Sequence, residues 1–195
     1  MSSEKLSERL IKMLILASAS PRRAEILSML GYEFEIIPAS CDENTDGLTA
    51  KEAVGELARR KAQAVAKLYP DRTVLGSDTL VTLEGKVLGK PKSEEDAANM
   101  LRILSGKTHS VFTGISAVCG DKCICETVEA KVTFRTLTEK EIADYIATGE
   151  PMDKAGAYGI QGKGAILVDS IEGDFFNVMG LPAARVYLLL KNFGF

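Results

Sequence analysis

A chain of 195 residues, 46% hydrophobic and 26% charged, holds enough apolar material for one large domain or two small lobes, which excludes disorder. Its net charge of −3 excludes a global basic field for a nucleic-acid backbone, so a phosphate ligand needs a local cluster of cations. No apolar run is long enough to span a membrane, and a single histidine, His109, excludes Ser-His-Asp, Cys-His and His-rich metal chemistry unless that one ring serves.

The first twelve residues read as a polar extension or a short surface helix, set apart from one domain over 13–195. Lys5, Arg9 and Lys12 before a short apolar run imitate a signal peptide, but the run is too short and Lys12 interrupts what precedes it. Residues 13–17 read as a buried strand. Ser20 as N-cap and Pro21 at the first helical position open a helix, which Gly31 closes. Residues 34–38 read as a second strand before a polar loop. From about 49 to 69 the pattern is helical, with Val54, Ala58, Lys61, Val65 and Leu68 on one face. A β-rich run over 72–83 turns at Glu84-Gly85 into a return strand ending at Lys90-Pro91. Ser93 and the acids after it begin another helix. Residues 111–118 and 123–137 read as a long hairpin around Gly120-Asp121, and the polar stretch before it places His109 at a solvated strand start. Thr138 and Glu141 form a capping box for a helix ending at Gly149. A Gly-rich loop over 150–164, a strand pair turning at Glu172-Gly173-Asp174 and a final helix complete the chain. Helices and strands interleave, so the class is α/β with a mixed sheet.

Four segments carry chemistry. Ser18-Ala19-Ser20-Pro21-Arg22-Arg23 sets two arginines in the first turn of a helix, where the dipole disfavours cations by roughly 0.3–1 kcal/mol each. An anion at that corner resolves the conflict, gathering free N–H groups, Ser18, Ser20, Arg22 and Arg23 on phosphate oxygens; solvated arginines are the bland alternative. Asp78 stands in an apolar β-branched run, where it must be paired, hydrogen-bonded or bound to a cation. As a functional group it binds Mg²⁺ or takes a proton from water. Lys61 lies on the apolar face of its helix, either snorkelling or reaching towards an anion or Asp78. Lys90 is a cation at a strand end, and its Gly85-to-Pro91 setting is not a P-loop, because the spacing is one residue short and Pro91 replaces the magnesium-binding hydroxyl. Glu43 is a loop carboxylate able to join Asp78 around a metal. The glycines of 150–164 allow close approach of a flat ligand, and the Gln161 amide matches a uracil or thymine edge; a ligand-free turn is the alternative. Cys119, Cys123 and Cys125 gather near one hairpin with Cys41 apart, a spacing that fits reduced thiols in a cytoplasmic protein better than a zinc site.

These motifs together resemble the Maf family of nucleotide pyrophosphatases: Ser18-x-Ser20-x-Arg22-Arg23, Gly76-x-Asp78-Thr79, Gly89-Lys90-Pro91, Ser105-Gly106, Thr113-Gly114, the 150–162 block and Val178-x-Gly180-Leu181-Pro182. The resemblance runs in order from Leu14 to the last helix, and only the N-terminal extension lies outside it. It implies an elongated α/β fold related to the inosine-triphosphatase architecture, with two lobes around a cleft, and a homodimer. It implies cleavage of dTTP and UTP between the α- and β-phosphates, with Mg²⁺ or Mn²⁺, in a house-cleaning role that involves neither nucleic acid nor membrane. By position Asp78 resembles the family's proton acceptor. Arg22, Thr79 and Gln161 resemble positions that set substrate choice, and Arg23, Glu43, Lys61 and Lys90 the other polar site residues. Gly159-Ile160-Gln161 is similar to the branch acting on dTTP and UTP. The alternatives are a pyrophosphatase for a modified purine nucleotide such as 7-methyl-GTP, or a nucleotide-sensing regulator of septum formation.

Overall fold

The computed structural model describes residues 13–195, so the expected N-terminal extension or surface helix lies outside the described residues. Leu14–Leu16 forms β1, with all three side chains at 0% exposure. A strand this uniformly apolar suits the inside of a parallel arrangement, and β1 pairs in parallel with β2 (Phe34–Ile36) on one edge and β3 (Val74–Leu83) on the other. β4 (Lys86–Leu88) returns antiparallel on β3. β5 (Thr108–Cys119), β6 (Lys122–Phe134) and β7 (Val168–Glu172) complete a seven-stranded mixed sheet in the order β2-β1-β3-β5-β6-β7. The helices are α1 (Pro21–Met29), α2 (Ala50–Ala66), α3 (Glu94–Leu104), α4 (Glu139–Ile146), α5 (Phe175–Met179) and α6 (Ala183–Lys191). The expected α/β class with a mixed sheet is what the strands and helices form. No helix among the described residues is long and apolar enough to cross a membrane.

The chain divides into two compact units, one comprising residues up to 78 with 113–128 and 180–195, the other 79–112 with 129–179. In the first, α1 ends where Gly31 adopts φ +81°, a left-handed conformation that brings its N–H to Ser28 and the N–H of Tyr32 to Leu27. α2 starts at a capping box in which Thr49 and Glu52 exchange side-chain and main-chain hydrogen bonds. Its apolar face packs with Ile15, Val74 and Val118 through Ala62 and Val65. Leu68 falls beyond the end of the helix and is 72% exposed, so it does not extend that face as its spacing suggests.

In the second unit, α3 and α4 cover a core built from Leu101, Leu104, Val132, Phe134, Ile142 and Leu167. The Thr138–Glu141 capping box forms as expected, and the main-chain amide of Thr138, Arg135 and the Thr138 hydroxyl hold the Glu141 carboxyl down to about 2. Two expectations fail here. The segment after Gly173 is not a strand: Asp174 accepts the Phe176 N–H at 2.8 Å and caps α5, which overrides the β propensity of Phe175 and Phe176. His109 is not solvated; at 2% exposure it packs edge-on against Phe134 and Tyr158, and its Nε2 hydrogen-bonds the Tyr158 hydroxyl at 2.8 Å.

Candidate active site

Asp78 and Lys61 meet because a helix lies directly on a strand. A Cβ on Gly76 would stand 2.4 Å from the Ala58 carbonyl oxygen and 2.7 Å from the Ala62 nitrogen, and one on Gly114 would stand 2.1 Å from the Val54 carbonyl oxygen. Only glycine permits this approach of β3 and β5 to α2. The helix face that includes Ala58 and Ala62 thus seats Lys61 two residues along the strand from Gly76. There the Lys61 ammonium donates to Asp78 Oδ1 at 2.6 Å and to Glu43 Oε1 at 2.8 Å. Lys61 and Asp78 side chains are 16% and 14% exposed, whereas Glu43 is 64% exposed. Burial works against the Lys61 charge, yet Asp78 and then Glu43 outweigh it and hold the amine above its ordinary value.

The corner between β1 and α1 is braced by Arg23. Its Nε donates to the Gly180 carbonyl at 2.9 Å, and its Nη1 to the Ser77 carbonyl at 2.9 Å and to Ser18 Oγ at 3.1 Å. Ser77 Oγ donates to the same Gly180 carbonyl at 3.0 Å. Burial pulls the Arg23 guanidinium below its ordinary value, and the charge of Asp78 opposes that pull. Ser18, not Ser20, supplies the oxygen at the start of α1: its Oγ accepts the Ser20 N–H at 3.2 Å, while the Ser20 side chain makes no cap. Arg22 is half-buried in the first turn of α1. Ser18, Ser20, Arg22, Arg23, Glu43, Lys61 and Asp78 all belong to the first unit, where Ser18 takes both the Ser20 N–H and the Arg23 guanidinium, and Lys61 takes Asp78 and Glu43.

Thr79, Lys90 and Gln161 belong to the second unit. Thr79 follows Asp78 on β3 and is half-buried; Lys90 and Gln161 are exposed. The Gly89 carbonyl, just before Lys90, accepts the Gly156 N–H at 3.0 Å, which ties the end of β4 to the Gly-rich block. That block is not a loose loop but three short 3₁₀ turns over Glu150–Asp153, Ala155–Ala157 and Gly162–Leu167. Its glycines are filled by the protein itself: a Cβ at 159 would meet the Lys154 side chain at 2.7 Å, one at 162 the Glu150 carboxylate at 2.9 Å, and one at 164 the Tyr145 hydroxyl at 2.7 Å. Sequence reasoning missed these partners. It also missed the Ser77 and Gly180 carbonyls, since main-chain acceptors leave no mark on residue type.

Among the described residues no group of three His, Cys, Asp or Glu side chains is placed to hold a metal, and all four cysteines are free. What the site offers a cation is the Asp78 and Glu43 carboxylates, already drawn onto one ammonium. Hard oxygen donors in that number fit Mg²⁺ or Mn²⁺, which take one or two carboxylates and complete their shell with water and substrate phosphates.

A model of the Maf-like protein family matches residues 13–193. A dTTP/UTP pyrophosphatase from a Geobacillus species is 50% identical over 185 residues, covering 94% of this chain and all (100%) of that protein. A dTTP/UTP pyrophosphatase from Bacillus cereus is 48% identical over 184 residues, covering 94% of this chain and 91% of that one. The solved Ham1 protein of Staphylococcus aureus is similar at 19% identity and a TM-score of 0.45, over 63% of this chain and 72% of that one. With the family pattern matched from β1 to the end of α6, and half its residues shared with a relative over that relative's whole length, the chain belongs to the Maf family.

Proposed function

We propose that this protein is a nucleoside triphosphate pyrophosphatase that hydrolyses dTTP and UTP to the monophosphate and pyrophosphate. The observation that carries the reading is Lys61 held by Asp78 and Glu43 where a helix lies on a strand, a cation and two carboxylates brought together at one place. The names of the two relatives supply the substrate class.

In this reading water attacks the α-phosphorus, the bond to the bridging oxygen of the β-phosphate breaks, and pyrophosphate leaves with the bonding pair. Asp78 orients the water and takes its proton. Lys61 orients the Asp78 carboxylate beforehand through its hydrogen bond, and neutralises charge that builds on the phosphates. Asp78 and Glu43 would hold a divalent cation, whose contribution when bound is to offset negative charge on the phosphate oxygens. Arg22 and Arg23, with the Ser18 and Ser20 corner, grip the polyphosphate, while two of the Arg23 nitrogens also brace that corner. Lys90 balances charge on the leaving group, and Thr79 and Gln161 read the base. Such chemistry asks for positioning and charge stabilisation rather than a covalent intermediate.

A pyrophosphate-release assay over canonical and modified nucleotides, with and without Mg²⁺, tests this. Equimolar monophosphate and pyrophosphate from dTTP and UTP are expected. Release of orthophosphate and a diphosphate, or binding with no release, overturns it.

A further inference from the structure

The Gly-rich block contains a closed set of hydrogen bonds that brackets Gln161. The Glu150 carboxylate receives the Tyr145 hydroxyl at 2.9 Å, the Lys163 N–H at 3.0 Å and the Gly164 N–H at 3.1 Å. The Tyr145 oxygen in turn accepts the Gly159 N–H at 3.0 Å. Two main-chain anchors thus stand after Gln161 and one before it, converging on Glu150 at the start of the block and Tyr145 from the helix before it. Those side chains are themselves fixed. Tyr145 is 3% exposed in the core of its unit, on a helix with a complete capping box. The Glu150 N–H donates to Thr148 Oγ at 3.1 Å, and the Lys154 ammonium donates to the Glu150 carbonyl at 2.5 Å. The fit leaves no slack, since a Cβ at residue 164 would lie 2.3 Å from the Gly159 carbonyl oxygen. Burial opposes the Glu150 charge, but its three donors and Lys154 hold the carboxyl below its usual range, so it accepts throughout the neutral region.

An amide carries a donor and an acceptor side by side, and turned over it pairs with the opposite base edge. Gln161 by itself therefore does not separate uracil or thymine from cytosine, whose ring presents the reversed pattern at the same positions. A main chain fixed on both sides of residue 161 holds the root of its side chain in one place, so a base whose edge does not meet the amide from there leaves polar groups unpaired.

We propose that Tyr145 and Glu150 are positioning residues that lock the Gln161 segment and so set the preference for uracil and thymine nucleotides over cytosine nucleotides. This rests on the proposed role of Gln161 as base reader. Neither residue touches substrate; each acts through the Gly159, Lys163 and Gly164 amides.

The test uses Tyr145→Phe, which keeps the ring and removes both hydroxyl bonds, and Glu150→Gln, which puts an amide N–H₂ against main-chain donors. Each is compared with wild type and with Gln161→Ala. Amide hydrogen exchange at Gly159, Lys163 and Gly164 reads the lock directly, and kinetics with dTTP and dCTP read its consequence. Faster exchange at those amides is expected. The KM for dTTP should rise about tenfold with kcat within about threefold, and the dTTP:dCTP ratio of kcat/KM should fall about tenfold, the value of one good hydrogen bond. Unchanged exchange overturns the lock. An equal loss of kcat on both nucleotides with KM unmoved also overturns it, because that is the mark of a merely destabilised enzyme. If exchange quickens and discrimination stays while Gln161→Ala abolishes it, the lock does not set specificity. If Gln161→Ala itself leaves discrimination intact, base reading by Gln161 fails, and the specificity role of the lock falls with it.

Discussion

Asp78, proposed above as the proton acceptor, is the residue whose loss is expected to separate chemistry from folding most cleanly. Its carboxylate is 14% exposed and bonded to Lys61, and an asparagine there keeps a carbonyl for the ammonium while losing the charge and the basicity. Asp78→Asn is expected to lose about 10²- to 10⁴-fold in kcat with the thermal midpoint shifted by only a few degrees. Stopped assays for pyrophosphate, together with a melting curve, check both halves; near-wild-type turnover removes the assigned role. His109 makes the opposite case, a titratable group with a structural role. Burial holds its imidazole down to about 4, whereas an unfolded chain takes up that proton near pH 6.5. Its contribution to stability is thus fully present above about pH 6.5 and is lost as the pH falls towards 4, by about 3 kcal/mol in all. Urea unfolding at pH 7 and pH 4.5 should show a steeper loss in wild type than in His109→Phe. Equal slopes would mean that the ring does not titrate as its surroundings require. Asp78 and Lys61 are legible in the sequence because each breaks an apolar pattern. His109 is not, since its polar neighbours Thr108 and Ser110 point a reader to solvent while the ring turns into the core.

Local signals decide the helices well. Pro21, Thr138 with Glu141, and the acids after Ser93 mark starts that the structure places within a residue or two. Ends are less legible: α2 stops at Ala66 although its spacing runs on, and the residues after Gly173 coil into α5 because one aspartate cap outweighs two phenylalanines. The glycines were legible as motifs but not as causes. Gly76 and Gly114 are needed because α2 rests on the main chain of two strands, and no local pattern tells which helix will lie there. Gly114→Ala, with backbone atoms 2.1 Å and 2.4 Å from the new Cβ, is expected to cost at least about 1–3 kcal/mol, read as a lowered denaturant midpoint. Gly76→Ala should cost a similar amount and also reduce turnover, because the same shift of α2 carries Lys61 away from Asp78. Full activity in Gly76→Ala would separate that helix contact from the site.

At the scale of the whole molecule, the fold class follows from the alternation of helical and extended patterns, but the strand order does not. β1 lies between β2 and β3, and β5 beside β3, through pairings between distant stretches that periodicity never encodes. Family membership was legible because seven short motifs occur in order along the chain. The small donor set proposed for the cation, the Asp78 and Glu43 carboxylates, carries a prediction at this scale. Removing divalent cations with a chelator should abolish turnover while leaving the melting temperature within about 2 °C, since two carboxylates do not make a structural metal site of the kind that supplies folding energy. A large drop in melting temperature on chelation would point instead to a metal built into the fold.

The Arg23 guanidinium reaches the Gly180 carbonyl across 157 positions of sequence. A chain folding from its N-terminal side therefore has the Ser18 and Ser77 partners of Arg23 at hand long before the Gly180 carbonyl arrives to complete the brace. A fragment cut before Gly180 would keep Ser18, Arg22, Arg23, Lys61 and Asp78, and the Ser77 carbonyl with them, but would lose the acceptor of the Arg23 Nε.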